Sequence, residues 1–137
     1  MASKKKKEQK QEEQEEKIFV IVPLSVQVEA KHGDEITIRM PVGRLAAQTA
    51  HVVSAMRLSE ESPTGDEPIT TIVLTVRNSK ELSKVLRELN YGEIAYSTFH
   101  DQDEKFYGTK DDVFTAICTW PCTKDQVDDI IGHLELL

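Results

Sequence analysis

The stretch MPVGRLAAQTAHVVSAMRL, Met40 to Leu58, organises the rest of this chain. Leu45, Thr49, Val52, Val53 and Met56 recur at helical spacing and predict an apolar stripe. Arg44, Gln48 and His51 follow one another at i, i+4 and i+7 on the neighbouring face. A helix introduced by Pro41 and Gly43 therefore aims three polar side chains one way. Ala46, Ala47, Ala50 and Ala55 fill the gaps with side chains too small to hold another backbone or a ligand away. Gly43 permits an unusual entry conformation, and the free N–H groups of a helix start beside Arg44 suit an anionic or phosphate-bearing group. The same pattern also fits a buried amphipathic helix whose polar edge is solvated.

On the N-terminal side, Ile18 to Val22 (IFVIV) is a short continuous apolar run, the mark of a central strand covered on both faces, with Pro23 at its end. Val26 to Glu29 and Glu35 to Arg39 alternate on either side of the turn signal KHGD and predict an exposed β-hairpin inserted before the helix. Beyond the helix, residues 59–68 form a loop, and Ile69 to Val76 (ITTIVLTV) is the most strand-like segment. Asn78 with Glu81 predicts a capping box opening a helix with Leu82, Val85, Leu86 and Leu89 inward, ending at Gly92. Ile94 to Phe99 alternates as a strand, His100 to Asp112 is a polar loop, and Val113 to Trp120 is a strand stopped by Pro121. Thr123 with Gln126 caps a last helix whose core positions are Val127, Ile130 and Ile131. Strands interleaved with helices in this way predict an α/β fold, a mixed sheet of about four strands with helices on both faces and an inserted hairpin.

Residues 1–16 contain no aromatic and no β-branched residue, so a disordered charged tail is expected there and one domain over 17–137. Hydrophobic residues at 39% and charged residues at 30% fit a soluble globular protein, and no apolar run is long enough to span a bilayer. The N-terminal KKKK leads into EQKQEEQEEK rather than an apolar stretch, which is no secretory signal, so a cytoplasmic location is expected. Cys118 and Cys122 stand four residues apart with no second pair, neither a disulfide framework nor a zinc site, and both are expected to be reduced. No metal is implied. The net charge of −7 is uneven: of 17 basic and 24 acidic residues, six Lys and five Glu fall in the first 17 positions, leaving 11 basic and 19 acidic residues on the body. An acidic body repels phosphates, so any RNA partner must be met by a local basic patch.

Two separated motifs carry a resemblance. MPVGRLAAQ at Met40 to Gln48, with His51, resembles the Gly-Lys-x-Ala-Ala-Gln-x-x-His helix start of the second family of peptidyl-tRNA hydrolases, the type with a small α/β sheet domain. The strand TAICTWP, Thr115 to Pro121, and the ending VDDIIGHLELL, Val127 to Leu137, are similar to that family's closing strand and its Gly-His-Leu-Lys-Leu-Leu terminus. The order of elements from Lys17 onward agrees, with the Val26 to Arg39 hairpin as an extra. The facing Asp-Ala-Gly-Arg-Thr loop of the family corresponds, counting back from Thr115, to Asp103 through Tyr107, of which only the Asp matches; Phe106 and Tyr107 stand where the family has arginine and threonine. Arg44 replaces a lysine, keeping the charge while changing its shape and hydration.

The resemblance implies hydrolysis of the ester joining a peptide to the terminal ribose of tRNA, without metal or organic cofactor, by a homodimer. Asp103 then orients or deprotonates the attacking water, Arg44 and the helix start stabilise the oxyanion or a terminal phosphate, and Gln48 holds a carbonyl. Thr115 joins Arg44 and Asp103 as a candidate catalytic residue, and Gly43, Gln48 and His51 are candidate substrate-binding residues. His51 and His133 also fit as structural groups. Asp103 stands among Asp101, Glu104, Asp111 and Asp112, a run that also reads as a solvated loop. The alternative function is a catalytically inactive member of the same fold acting as a binding or interaction module.

Overall fold

The first strand is buried along its whole length because every side chain in it is apolar and both faces of the sheet are covered. The computed structural model describes residues 15–30, 32–59, 61 and 67–137; most of the expected tail and of the loop 59–68 lies outside them. In chain order the elements are β1 (Ile18–Pro23), β2 (Ser25–Glu29), β3 (Glu35–Arg39), α1 (Val42–Leu58), β4 (Thr71–Val76), α2 (Ser79–Tyr91), β5 (Tyr96–Asp101), α3 (Glu104–Tyr107), β6 (Val113–Thr119), α4 (Lys124–Ile131) and β7 (Glu135–Leu136).

Five strands form one sheet in the order β5-β6-β1-β4-β7. β1 and β4 are parallel, joined across α1, with Ile21 opposite Leu74. The pairs β1–β6, β5–β6 and β4–β7 are antiparallel, which makes the sheet mixed. Leu45, Val52 and Met56 of α1 pack with Ile18, Val20 and Val22 on one face. Leu82, Val85 and Leu89 of α2 and Val127 and Ile131 of α4 pack with Phe19 and Ile21 on the other. The α/β arrangement with helices on both faces is thus as the sequence predicts, but the sheet has a fifth strand. β7 is two residues long and fully at the edge, with Leu74 opposite Leu136, so it carries no readable alternation.

The hairpin β2–β3 forms its own two-stranded sheet, turned at Gly33, whose φ of +83° a glycine adopts without strain. Only half of it is the exposed ribbon expected from sequence. Val26 and Val28 are buried in the core beneath α1, and Ser25 N–H donates to the Arg77 carbonyl at 3.2 Å. Gln27 N–H donates to Ser79 Oγ at 3.0 Å while Gln27 Oε1 accepts from Ser79 N–H at 2.9 Å, docking β2 on the first turn of α2.

At that turn Asn78 Oδ1 accepts from Glu81 N–H at 3.0 Å, the expected cap. The reciprocal half differs: Glu81 reaches one residue further back, accepting from Arg77 N–H at 2.9 Å and from Arg77 Nε at 2.8 Å, because the arginine offers it a charge. Asn78→Ala is expected to destabilise the fold by about 1 kcal/mol, the usual worth of a capping side chain, in a urea unfolding titration. An unchanged midpoint would mean that Glu81 alone secures the turn.

Candidate active site

α1 opens on Pro41, whose extended backbone (φ −61°, ψ 154°) turns the chain into the helix. Gly43 is not the special entry residue that its type suggests. Its φ is not positive and a Cβ built on it meets nothing within 4 Å, so the proline has already set the direction. The N–H groups of Arg44 and Leu45 both donate to the Pro41 carbonyl, at 2.9 and 3.0 Å. Arg44 and Gln48, one turn apart, project from this start toward the end of β5.

There the chain differs from a plain loop. Asp103 caps a single helical turn, α3, its Oδ1 accepting from Phe106 N–H at 3.2 Å, and Gly108 closes the turn at φ +70°. An aspartate followed five residues later by glycine is the sequence signal for such a turn, and it lies hidden in a stretch otherwise rich in charge. Gln102 donates through Nε2 to Asp112 Oδ1 and ties the two ends of the segment together.

Arg44 Nη2 donates to Asp103 Oδ2 at 2.8 Å across 59 residues of sequence. Its Nη1 stands 4.0 Å from Asp101 Oδ2. The face of Phe106 covers the guanidinium, with Cζ 3.5 Å from the ring centroid, which is cation–π distance. Asp101 Oδ2 also accepts from Gln48 Nε2 at 2.9 Å and from Tyr107 Oη at 2.8 Å. Gln48 Oε1 in turn accepts from Thr115 Oγ1 at 2.6 Å. A continuous set of polar contacts therefore runs from Thr115 through Gln48 and Asp101 to Arg44 and Asp103.

A β-bulge makes the inner end of this set possible. The β5–β6 register shifts between Phe99 and His100, which face Ala116 and Phe114, so Thr115 has no residue opposite it. Ala116 packs in the core under α1 while Phe114 packs on the opposite side, so the extra residue lets Thr115 turn to α1 beside Ala116.

The charges follow from the contacts. The hydrogen bond from Arg44, with a second from Phe106 N–H, holds the Asp103 carboxyl below its usual range. Burial, reinforced by the hydrogen bond to Asp101, pushes the Tyr107 hydroxyl well above its ordinary value, so it remains a proton donor. Arg44 and Asp103 are part-exposed, whereas Thr115 is fully buried and Gln48 is 2% exposed. Of the residues singled out in sequence, Arg44, Gln48, Asp103 and Thr115 come together. His51 stands aside, stacked on Phe99 with ring centroids 4.8 Å apart. Gly43 is exposed on the first turn of α1. Sequence reasoning missed Asp101, taken as part of a solvated acidic run, and treated Tyr107 and Phe106 only as departures.

A family model described as Peptidyl-tRNA hydrolase PTH2 matches residues 35–137. The chain belongs to the peptidyl-tRNA hydrolase PTH2 family. No individually curated protein matches it significantly. The family match spans α1, the bulged strand pair, α3 and the C-terminal strand, and it leaves out β1 and β2.

Among the described residues no group of three or more His, Cys, Asp or Glu is placed to hold a metal ion, and no helix is long and apolar enough to cross a membrane. Cys118 and Cys122 are free and buried; burial pushes the Cys118 thiol up to about 12. Thiols in that state are poor nucleophiles.

Proposed function

We propose that this family member hydrolyses the ester between the peptide and the terminal ribose of peptidyl-tRNA, at Arg44 and Asp103. The observation that carries the reading is the 2.8 Å contact between Arg44 Nη2 and Asp103 Oδ2 at the part-exposed end of a polar set otherwise built into the domain. A positive group and a carboxylate in one place can serve one carbonyl carbon.

In this reading Asp103 orients a water toward the carbonyl carbon and takes its proton as the new C–O bond forms. Arg44 faces the negative charge that develops on the carbonyl oxygen. The tetrahedral intermediate then collapses, the bond to the ribose oxygen breaks, and that oxygen takes the proton, leaving a free peptide carboxyl and a tRNA hydroxyl. While Arg44 is bonded to Asp103 the carboxylate is a weak base. As the oxyanion draws the guanidinium, Asp103 recovers basicity at the moment a proton must be accepted. Gln48 and Thr115 act from beneath, with Thr115 donating to the Gln48 amide that donates to Asp101. Gly43 at the open helix start and His51 on the same line of α1 flank the place where the tRNA end would lie. No metal or organic cofactor enters this scheme. A homodimer and a cytoplasmic location belong to the same reading, supported by family resemblance.

The second reading, a non-catalytic binding module, is favoured by one specific feature: both Asp103 oxygens are already engaged and Phe106 covers the guanidinium. Incubating purified protein with peptidyl-tRNA over a salt series separates the two. Hydrolysis should occur and KM should rise with salt on a shallow slope, because the body carries 11 basic against 19 acidic residues and so has few cations to displace counterions. Binding without release of tRNA would favour the module.

A further inference from the structure

We propose that Asp101 is a positioning residue of this site, a role that rests on the hydrolytic reading above: its carboxylate anchors the Gln48 amide and the Tyr107 hydroxyl and shares Arg44 with Asp103, fixing the plane of the guanidinium. Asp101 is the last residue of β5, two positions beyond the β-bulge, and its side chain is 17% exposed. A carboxylate so far withdrawn from water needs donors. It has two neutral ones on Oδ2, Gln48 Nε2 at 2.9 Å and Tyr107 Oη at 2.8 Å, with Arg44 Nη1 at 4.0 Å from the same oxygen.

Each of these contacts constrains something. The Gln48 amide is held at both ends, by Asp101 and by Thr115, so its orientation is fixed by the bulged strand. The Tyr107 side chain is 2% exposed and closes α3 over the core, so its bond to Asp101 joins α3 to the end of β5. Arg44 has one nitrogen on Asp103, one facing Asp101 and an aromatic ring over its plane. Without the Asp101 charge, the guanidinium keeps its bond to Asp103 and its contacts with the Phe106 and Tyr107 rings but loses the restraint facing Nη1, so it can turn beneath Phe106. Asp101 meets no substrate itself and acts through Arg44.

Asp101→Asn tests this, because asparagine keeps the shape and can still accept both neutral bonds through its oxygen, losing only the charge that faces Arg44. The melting temperature should stay close to that of the native protein. kcat on peptidyl-tRNA should fall by about tenfold to a hundredfold with KM nearly unchanged, the pattern of a supporting shell that acts in the transition state. Side-chain NMR of Arg44 should show slowed rotation about its Cζ–Nη bonds in the native protein and faster rotation in the variant. Native kcat in Asp101→Asn would overturn the proposal. Should that variant fail to fold, Tyr107→Phe, which removes one donor and keeps the charge, must still lower kcat; an unchanged kcat overturns it. If the native protein cleaves no peptidyl-tRNA, the hydrolytic reading falls separately, and equal Arg44 rotation with and without the Asp101 charge would then sink the positioning role as well.

Discussion

Asp103→Asn is expected to lower kcat for peptidyl-tRNA cleavage by at least about a hundredfold, the lower range for a positioned acid–base group. The substitution keeps the cap on α3, because an asparagine oxygen can still accept from Phe106 N–H, but removes the charge that pairs with Arg44. Loss of activity should therefore come without loss of fold. His51→Gln should do far less, since His51 stacks on Phe99 and stands outside the polar set. The pH dependence follows from the direction of the shift. Arg44 lowers the folded-state pKa of Asp103, so the ionised form persists to acid pH. The Arg44–Asp103 pair therefore favours the folded state above the ordinary carboxylate pKa and ceases to do so as pH falls through the lowered one. The acid limb of kcat/KM should lie correspondingly below the ordinary carboxylate range. A limb near neutral pH would assign the essential base to another group.

Ile21→Ala should destabilise the domain by roughly 2 to 5 kcal/mol, the range for cutting a large aliphatic side chain out of a closed core. Ile21 is fully buried, faces Leu74 on β4 and Ile117 on β6, and packs against the layer formed by α2 and α4. No neighbour can move in, because strands are bonded on both sides of β1. The melting temperature should drop by roughly 10 °C. Leu136→Ala is the contrast: that side chain is 71% exposed on the edge strand, and the change should stay within about 0.5 kcal/mol. Equal effects at the two positions would contradict the placement of the core.

What could be read from sequence and what could not separate along physical lines. β1 is legible because five apolar residues in a row admit few alternatives, and α1 because its stripe keeps the helical period from Leu45 to Met56, about three turns. β7 was invisible, since two residues carry no period and their pairing with β4 is decided by tertiary packing. α3 reads as loop in the sequence because its surroundings are dominated by charge, and only the Asp103 and Gly108 pair marks it. The half-docked hairpin shows the same limit: Val26 and Val28 alternate as well on an exposed ribbon as on a buried edge, and the Gln27–Ser79 bonds that decide the matter join residues 52 apart. Arg44, Gln48, Asp103 and Thr115 were reachable by spacing and resemblance. Asp101 and Tyr107 were not, because the bulge that brings Thr115, and through Gln48 also Asp101, into one set leaves no mark on the sequence.

If Arg44 and Asp103 act on one carbonyl carbon as a unit, their losses cannot simply multiply. The decisive measurement is a double-mutant cycle, comparing single-turnover cleavage of peptidyl-tRNA by the native protein, Arg44→Ala, Asp103→Asn and the variant carrying both. Each single change should cost about a hundredfold and the double change hardly more than either. Losses that multiply to about ten-thousandfold would mean two independent contributions, and a native protein that leaves peptidyl-tRNA intact would contradict hydrolysis at this site altogether.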